Sequence, residues 1–456
     1  MSQPGSADTR PLARRAALAG LLGTTIEAYD FFVYTYLVVY TAPLFFPAGD
    51  PVIGILASLL VLGAGYLTRP LGGLFFGRIG DRRGRRYALV LTVTMMGAAT
   101  FLIGVLPTFS QWGILAPILL VLGRLVQGFS AGGELMGSAT YVAEYSSRRN
   151  RGLFNSITPL GFAMGTVLAP AIVGLTALIV PAEQMAAWGW RIPLMLSLPL
   201  AIICLVYRLK IEDSPAFRLV EARREIPTAP LREVVRGHWP SLLRVIALAF
   251  VVLLIGNVVG AYMPVFLQRE VGLTPGTTAL VAAVGAALAL PFLLLTGLAV
   301  DRFGRRAAMV TLLVYSGAVT FPALLVLKAS DGVIVVVVLA QLCLAVAGGS
   351  TSVPAYSAFT GLFPARVRYT GAAVGFGVGA GIGGGFGPYL AAQLAASTGN
   401  PYSPALLIVG AAVLGTAVIL TAPNTYAGDE DLALAPAAPR GGFAPAEVRT
   451  AGESAT

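Results

Sequence analysis

Four charged residues lie well inside the long apolar runs of this chain, away from their ends, and they are the residues that could do chemistry. Glu27 and Asp30 lie three positions apart in the first run, so a helix would carry both on one face. Arg69 lies in the second run and Arg124 in the fourth. A carboxylate beside a guanidinium stays ionised, and it takes up a proton when the two separate in apolar surroundings. The chemistry indicated is reversible protonation.

The arrangement predicts a proton-coupling pair. By chain direction, Asp30 and Arg124 come out at similar depth, so we expect these two to pair, with Glu27 as the competing proton carrier. A charge at the centre of a bilayer costs about 3 kcal/mol or more, so each one needs a partner, water or a function. A static salt bridge that fixes the helices is the alternative interpretation.

The same arginines are candidate ligands for a carboxylate. A guanidinium presents two parallel N–H donors that match the two oxygens of a carboxylate. Arg69 has no acidic partner in its own run, so it either clamps such a substrate or braces the helix end near Asp81. Arg124 could bind substrate once Asp30 releases it. Polar residues could select the rest of the solute, or could only form hydrogen bonds between helices. These candidates are Tyr34, Gln127, Asn257, Tyr262 and Tyr356.

The composition requires a membrane. The chain has 456 residues, of which 56% are hydrophobic and 11% charged, with a mean hydropathy of +0.80. A soluble fold of this length could not bury so much apolar surface. The net charge of +10 comes from basic residues clustered between the runs, which set orientation and do not indicate nucleic acid. One histidine, two cysteines and no phosphate-binding loop give no sign of a metal, a cofactor or ATP.

Twelve runs are long enough to span a bilayer, which needs about 20 apolar residues each. They lie at 17–40, 52–76, 87–107, 112–134, 153–180, 187–208, 242–267, 277–299, 307–328, 332–354, 369–393 and 403–422. We therefore predict an all-α membrane protein with twelve transmembrane helices. Its expected parts are a cytoplasmic N-terminal segment, a six-helix bundle, a central cytoplasmic loop, a second six-helix bundle and a disordered cytoplasmic tail, at 1–16, 17–208, 209–241, 242–422 and 423–456. Basic loops on one side place both termini in the cytoplasm.

A ten-residue segment occurs twice and divides the chain into similar halves. Residues 77–86 and 297–306 share Gly, Asp, Arg, Gly, Arg and Arg in the same order, 220 positions apart. A second pair, 149–152 and 368–371, repeats an Arg and a Gly 219 positions apart. We expect these segments to be short turns that either only set topology or form an ionic gate at the cytoplasmic mouth. The gate candidates are Asp81, Arg82, Arg85, Glu134, Glu144, Arg149, Asp301, Arg302, Arg305 and Arg368.

Several stretches resemble the metabolite:proton symporters of the major facilitator superfamily, which include shikimate, 2-oxoglutarate, citrate and proline/betaine carriers. The more specific ones are GTTIEAYDFF at 23–32 and RLVQGFSAGGE at 124–134, whereas the Asp-Arg-x-Gly-Arg-Arg segment is typical of the whole superfamily. The resemblance runs from about 23 to 421. It implies two six-helix bundles (the major facilitator fold) that move around a central site, with an acid–arginine pair between the first and fourth helices.

The expected function is secondary active transport. It is proton-coupled symport of a small polar metabolite, a carboxylate or zwitterion, across the plasma membrane by alternating access. The alternative is a proton-coupled exporter of a drug or biosynthetic product, because Gly165, Pro170 and Gly174 partly match an exporter pattern. A membrane enzyme would need a metal or a nucleophile constellation, and the sequence offers neither. The expected partners are solute, protons and lipid, without cofactor or nucleic acid, for a monomer in a bacterial inner membrane.

Overall fold

Twelve long helices form the part of the chain that the computed structural model describes, residues 10–47, 51–146 and 150–423. They are α1 (Arg10–Phe45), α2 (Pro51–Arg83), α3 (Arg85–Val105), α4 (Leu115–Tyr145), α5 (Ile157–Ile179), α6 (Ser197–Leu209), α7 (Trp239–Asn257), α8 (Pro275–Phe303), α9 (Arg305–Ala329), α10 (Ile334–Ser350), α11 (Arg368–Thr398) and α12 (Pro404–Leu420). The prediction of twelve helices is confirmed. The main difference is α4, which continues to Tyr145 beyond the expected end at 134, so Glu144 lies inside a helix.

Shorter helices prolong or connect the long ones. Arg151–Asn155 leads into α5 and Arg191–Met195 into α6, while a π-helical turn, Val258–Tyr262, continues α7. The others are Phe109–Trp112, Ala182–Gln184, Met185–Gly189, Pro215–Ala222, Pro230–Gly237, Met263–Arg269 and Ser352–Gly361. The central segment therefore contains two helices, Pro215–Ala222 and Pro230–Gly237, where the sequence indicated only a charged, proline-rich loop. Ser214 caps the first of them by accepting the N–H of Phe217 at 3.2 Å.

The outer faces of these helices suit lipid. Among the described residues, nine helical segments are long and apolar enough to cross a bilayer, and α12 is a shorter apolar helix. Large apolar side chains are exposed along them, for example Leu178 and Ile179 at the end of α5. α11 is less hydropathic because nine of its residues are glycine, and those glycines serve close packing against other helices.

The helices pack as two bundles related by the sequence repeat. In the first half α1 packs on α5, α2 on α4, and α3 on α4 and α6; in the second half α7 packs on α11, α8 on α10, and α9 on α12. Several contacts join the halves, and two of them, α2 with α11 and α8 with α5, are related by the repeat. If each helix is replaced by its repeat counterpart in the other half, the contact of α2 with α11 becomes the contact of α8 with α5. Gly77 lies against Thr370 and its repeat counterpart Gly297 against Gly152, because a larger residue would hold the helices apart.

The repeated basic segments are helical for most of their length. The turn between α2 and α3 is reduced to Gly84, with φ of +102°, and the turn between α8 and α9 to Gly304, with φ of +85°. These backbone angles strongly favour glycine. The expectation that these ten-residue segments are short turns was wrong, because Asp81 and Asp301 lie in the last turns of α2 and α8 rather than in a loop.

The packing of α5 on α1 allows a direct prediction. A methyl group added at Gly165 would lie 2.3 Å from the carbonyl oxygen of Thr25 and 2.5 Å from Cβ of Ala28, whereas one at Gly174 would meet nothing within 4 Å. We expect Gly165→Ala to destabilise the protein by about 1–3 kcal/mol through overpacking. Gly174→Ala, in the same helix, should be neutral or stabilising. The melting temperatures of the two purified variants, measured by heating samples and following the remaining folded protein by size-exclusion chromatography, give the difference. Equal melting temperatures would contradict this packing.

Candidate functional site

Arg69 is buried between aromatic rings in the middle of the first bundle. Only 1% of the residue is exposed. Its guanidinium carbon lies 4.5 Å from the ring centre of Phe31 and 4.6 Å from that of Tyr66, in cation–π contact. Its Nε and Nη2 make no hydrogen bond in the described part of the chain. A buried guanidinium with open N–H donors is costly unless something binds to it.

Arg124 shares one of those rings. Its guanidinium carbon lies 4.9 Å from the ring centre of Phe31 and 5.0 Å from that of Tyr34. Nη1 donates to the Phe31 carbonyl oxygen at 3.2 Å and to Oε1 of Gln127 at 2.7 Å. Nε and Nη2 have no hydrogen-bond partner within the described ranges. Two arginines with unused donors therefore flank a single phenyl ring.

The expected ion pair between Asp30 and Arg124 is wrong for this conformation. The Asp30 carboxylate is fully buried and has no ion pair among the described residues; the side chains of Ser197 and Thr100 are its polar neighbours. Gln127 is bonded to the backbone of Asp30 rather than to its carboxylate, since its Nε2 donates to the Asp30 carbonyl oxygen at 3.4 Å and to Oγ1 of Thr100 at 2.6 Å. Arg124 is held instead by the rings of α1 and by Gln127, one turn along its own helix.

Glu27 is the acid that faces an arginine. Its carboxylate is 2% exposed and makes no hydrogen bond in the described chain. Among the cations, Arg69 has the largest electrostatic influence on it, ahead of Arg208. Tyr356, from the helix that continues α10, lies close enough to interact with both Glu27 and Arg69. The structure thus brings Glu27, Arg69 and Tyr356 together where the two bundles meet.

The other second-half candidates differ in position. Asn257 donates to the Leu253 carbonyl oxygen at 2.9 Å, and Gly384 of α11 packs against both Asn257 and Tyr66. Asn257 is therefore near the arginine cluster. Tyr262 lies beyond it, in the π-helical turn, with Arg269 and Glu270 as its charged neighbours. The structure does not bring Tyr262 to the central residues.

A separate buried ionic cluster joins the bundles at one end, and we call it the Asp81 cluster. Its members are Asp81, Arg85, Glu144, Ser214 and Arg368. Asp81 accepts the backbone N–H groups of Tyr369 at 3.2 Å and Thr370 at 2.8 Å, so it caps the first turn of α11. A carboxylate at that position also interacts favourably with the helix dipole. The first bundle holds the second through this cap.

Glu144 completes the Asp81 cluster. It accepts from Nε of Arg85 at 3.2 Å, from Nη1 of Arg368 at 2.8 Å and from the Ser214 hydroxyl, while Nη1 of Arg85 lies 3.1 Å from Asp81. All four charged side chains are fully buried. Four of the gate candidates therefore lie in one cluster, namely Asp81, Arg85, Glu144 and Arg368.

The central segment adds a further cap beside this cluster. Asp213 accepts the backbone N–H of Arg85 at 2.9 Å, at the start of α3. Burial raises the pKa of Asp213, and hydrogen bonding to the N–H of Ser214 and the charge of Arg85 oppose that rise. Gly84 is required for this approach, because an added Cβ would lie 1.9 Å from an Asp213 oxygen.

The repeat places a less buried counterpart of the Asp81 cap on the other side of the interface. Asp301 accepts the N–H groups of Gly152 at 2.6 Å and Leu153 at 2.9 Å, at the helix leading into α5, and it is only partly buried. Arg302 is exposed over the ring of Phe303, and Arg305 is partly exposed. Arg82 is exposed and is not part of the Asp81 cluster. Arg149 lies outside the described residues.

Glu134 was assigned to the wrong partners by the sequence argument. It does not reach the Asp81 cluster but forms a buried ion pair with Arg208 of α6, whose Nη1 donates to Oε2 at 2.8 Å. Arg208 also donates to the Leu89 carbonyl oxygen at 2.6 Å, and Thr92 donates to Glu134. Sequence reasoning treated Arg208 only as an orientation charge. The sequence signal that could have indicated its burial was its position within an apolar helix, four residues after Cys204.

The helix caps formed by Asp81 and Asp301 differ in burial, and this difference leads to a prediction. Asp81→Asn keeps an oxygen acceptor but loses the charge that faces Arg85 and α11, so transport should fall about tenfold or more while membrane insertion is unchanged. The matched control is Asp301→Asn, which removes the partly exposed counterpart and should have a smaller effect. Solute uptake per inserted protein measures both. An equal or larger loss in Asp301→Asn would contradict the ranking.

Family patterns and known relatives match this chain over most of its length. The sequence pattern of the family described as "Sugar (and other) transporter" matches residues 16–238, and that of the "Major Facilitator Superfamily" matches residues 245–448. The chain is 36% identical over 414 residues to a proline/betaine transporter of Salmonella typhimurium, covering 88% of this chain and 82% of that protein. It is 34% identical to the shikimate transporter of Escherichia coli, covering 90% of this chain and 94% of that protein.

A solved structure shares the fold. The proton:xylose symporter XylE bound to 6-bromo-6-deoxy-D-glucose superposes with a TM-score of 0.77 at 16% identity, covering 93% of this chain and 98% of that one. The similar proteins are transporters and not enzymes. The chain is a multi-pass membrane transporter that belongs to the major facilitator superfamily.

Proposed function

We propose that this transporter imports a small metabolite that carries a carboxylate, together with protons. The observation that carries the proposal is the pair of buried arginines, Arg69 and Arg124, whose open N–H donors flank Phe31. A carboxylate is the group that satisfies two donors of one guanidinium at once. A substrate that fills these donors removes the cost of leaving them buried and unbonded.

The surroundings favour a zwitterion over a simple anion. Glu27 faces the same arginine and supplies a negative charge to which an ammonium group could be attracted. Tyr66, Tyr34 and Tyr356 contribute aromatic faces of the kind that bind quaternary ammonium groups. The proline/betaine transporters among the relatives carry, by name, substrates of this charge pattern. An anion, as in the shikimate transporter, is the competing substrate class.

Proton coupling is proposed from the two buried carboxylates. Substrate that takes the donors of Arg69 would displace Glu27 from its cation, and a carboxylate without a cation in an apolar site binds a proton. Asp30 already lacks a cation in the described conformation. The two acids thus provide candidate proton carriers next to the proposed substrate ligands.

We further propose the orientation and setting of the protein. Both termini lie in the cytoplasm of a bacterial cell, so the Asp81 cluster closes the cytoplasmic side of a monomer in the inner membrane. The clustering of basic residues on that side supports this assignment. The bundles proposed for residues 17–208 and 242–422, joined by 209–241, would then open alternately to either side.

Export of a drug or product gains no support from the helix pattern that suggested it. Gly165 packs against Thr25 and Ala28, so it serves the contact between α1 and α5, whereas a methyl group added at Gly174 would meet nothing within 4 Å. Close packing is a sufficient reason for Gly165.

The test is uptake into right-side-out membrane vesicles that contain the transporter. Labelled proline, glycine betaine and shikimate are offered with and without an imposed inward proton gradient, and vesicles without the transporter serve as the control. We expect gradient-driven accumulation of a zwitterion, and an internal pH that falls when that substrate enters, because protons enter with it. Accumulation driven by an outward proton gradient would indicate export. No response to any carboxylate would overturn the assignment of Arg69 and Arg124.

A further inference from the structure

Tyr369 belongs to the second bundle, but its ring lies inside the first. It is the second residue of α11 and is fully buried. Its hydroxyl donates to the Gly133 carbonyl oxygen in α4 at 2.9 Å, and Asp81 in α2 accepts its backbone N–H at 3.2 Å. The ring therefore crosses the boundary between the halves and is bound at both ends by the opposite one.

Two glycines make room for this ring. A Cβ added at Gly80 would lie 1.9 Å from Cδ1 of Tyr369, and one at Gly137 would lie 2.0 Å from its hydroxyl oxygen. Both distances are far below van der Waals contact, so any larger residue at either position would force the ring or a helix to move. The first bundle thus contains a slot, between α2 and α4, that is shaped to this side chain.

The slot lies between two buried ion pairs. The charged neighbours of the Tyr369 side chain are Glu134 and Arg208 on the one hand, and Asp81 and Arg85 on the other. Glu134 and Arg208 in turn act on Glu27 of the central site. The sequence of buried groups from the centre to the closed end is therefore Glu27, the Glu134–Arg208 pair, the Tyr369 ring and the Asp81 cluster.

We propose that Tyr369 is a plug that separates the central carboxylates from the side closed by the Asp81 cluster. Because the ring is carried by the second bundle, separation of the bundles pulls it out of the slot and admits water to Glu134 and then to Glu27. This inference rests on the transport cycle in the proposed function for its direction, but the plug itself is defined by packing alone.

The first experiment uses Cys204, which is fully buried beside Arg208 and Glu134. In a Cys343→Ala background, inside-out vesicles are treated with 2-sulfonatoethyl methanethiosulfonate, which does not cross membranes. We expect Tyr369→Ala to speed modification of Cys204 about tenfold or more and Tyr369→Phe to change it little, since the ring remains. Tyr87→Ala removes an exposed tyrosine of α3 and is the matched control. Unchanged modification in Tyr369→Ala would overturn the plug.

The second experiment asks whether slot and ring act together. Gly137→Ala should push the ring out and also speed modification of Cys204, because its methyl group takes the place of the hydroxyl. In Gly137→Ala/Tyr369→Ala the clash is gone, so the double variant should be no faster than Tyr369→Ala alone. Additive effects of the two changes would contradict a shared slot.

These measurements need no substrate. A plug that fails the labelling test leaves the carboxylate assignment standing, and a failed uptake test leaves the plug standing. Where substrate accumulates, Tyr369→Ala should lower the steady-state gradient, while Tyr369→Phe should maintain it. A normal gradient in Tyr369→Ala would also count against the plug.

Discussion

Arg69→Ala should reduce the uptake of substrate by about 100-fold or more, a loss equivalent to about 2.7 kcal/mol. The buried guanidinium has two open donors, and hydrogen bonds to a charged group contribute about 1.5–3 kcal/mol each. The same change removes the strongest cationic influence on Glu27. We expect Arg69→Lys to be nearly as damaging, because an ammonium cannot offer two parallel donors to one carboxylate. Initial rates of uptake per inserted transporter give the measurement.

The matched control is Arg82→Ala. Arg82 lies on the same helix, carries the same charge and is exposed outside the Asp81 cluster, so its loss should leave uptake within about twofold of the parent. Near-normal uptake by Arg69→Ala would remove Arg69 from the substrate site.

A second variant distinguishes binding from folding. Arg69→Ala leaves Glu27 buried without its cation, which can itself destabilise the bundle. Glu27→Gln/Arg69→Ala removes both charges and should restore the yield of folded protein without restoring uptake. Recovery of uptake together with yield would indicate that Arg69 only neutralises Glu27.

The fold could be predicted because its signals are long and repeated. Twelve apolar runs determine the helices, and the 220-residue repeat determines that they form two related bundles. The caps at Asp81 and Asp301 follow the same repeat, although each aspartate binds the opposite half. A motif in one half gives no information about which residues of the other half it meets, so the partners of these caps were not predicted.

The site was predicted less well because depth along a helix does not fix the direction of a side chain. Asp30 and Arg124 were paired on depth, but the guanidinium of Arg124 is bound by Gln127 and by the aromatic rings of α1 instead. Glu134 was placed in the gate because of its charge, but its side chain points from α4 towards Arg208 of α6. Both errors arise because the sequence does not show how each helix is rotated about its own axis.

Residues whose role depends on the shape around them gave no sequence signal. Tyr369 matters because Gly80 and Gly137 leave space for its ring, and these three residues come from α2, α4 and α11. Only the folded chain brings them together. The repeat does not predict this role either. The counterpart of the start of α11 in the other half is the short helix that begins at Arg151.

The structure moves the proposed proton carrier from Asp30 to Glu27. Glu27 faces Arg69, the proposed substrate ligand, so substrate binding can change the charge of Glu27 directly. Asp30 has no cation to exchange with the substrate in the described conformation. We expect Glu27→Gln to abolish gradient-driven accumulation, because an amide cannot carry the proton. Exchange of labelled for unlabelled substrate should survive, since that step needs no net change of protonation.

Asp30→Asn is the comparison that decides the assignment. The two acids lie three residues apart on the same face of α1 and are both buried, so helix placement and burial are matched. If Glu27 carries the proton, Asp30→Asn should still concentrate substrate when a proton gradient is imposed, although more slowly. Accumulation measured against exchange in both variants separates coupling from binding. If Asp30→Asn loses accumulation and Glu27→Gln retains it, Asp30 is the carrier, as its position in the sequence suggested. If both variants concentrate substrate normally, the proton does not travel through α1, and a carboxylate such as Glu134, which already has a cation in Arg208, becomes the next group to test.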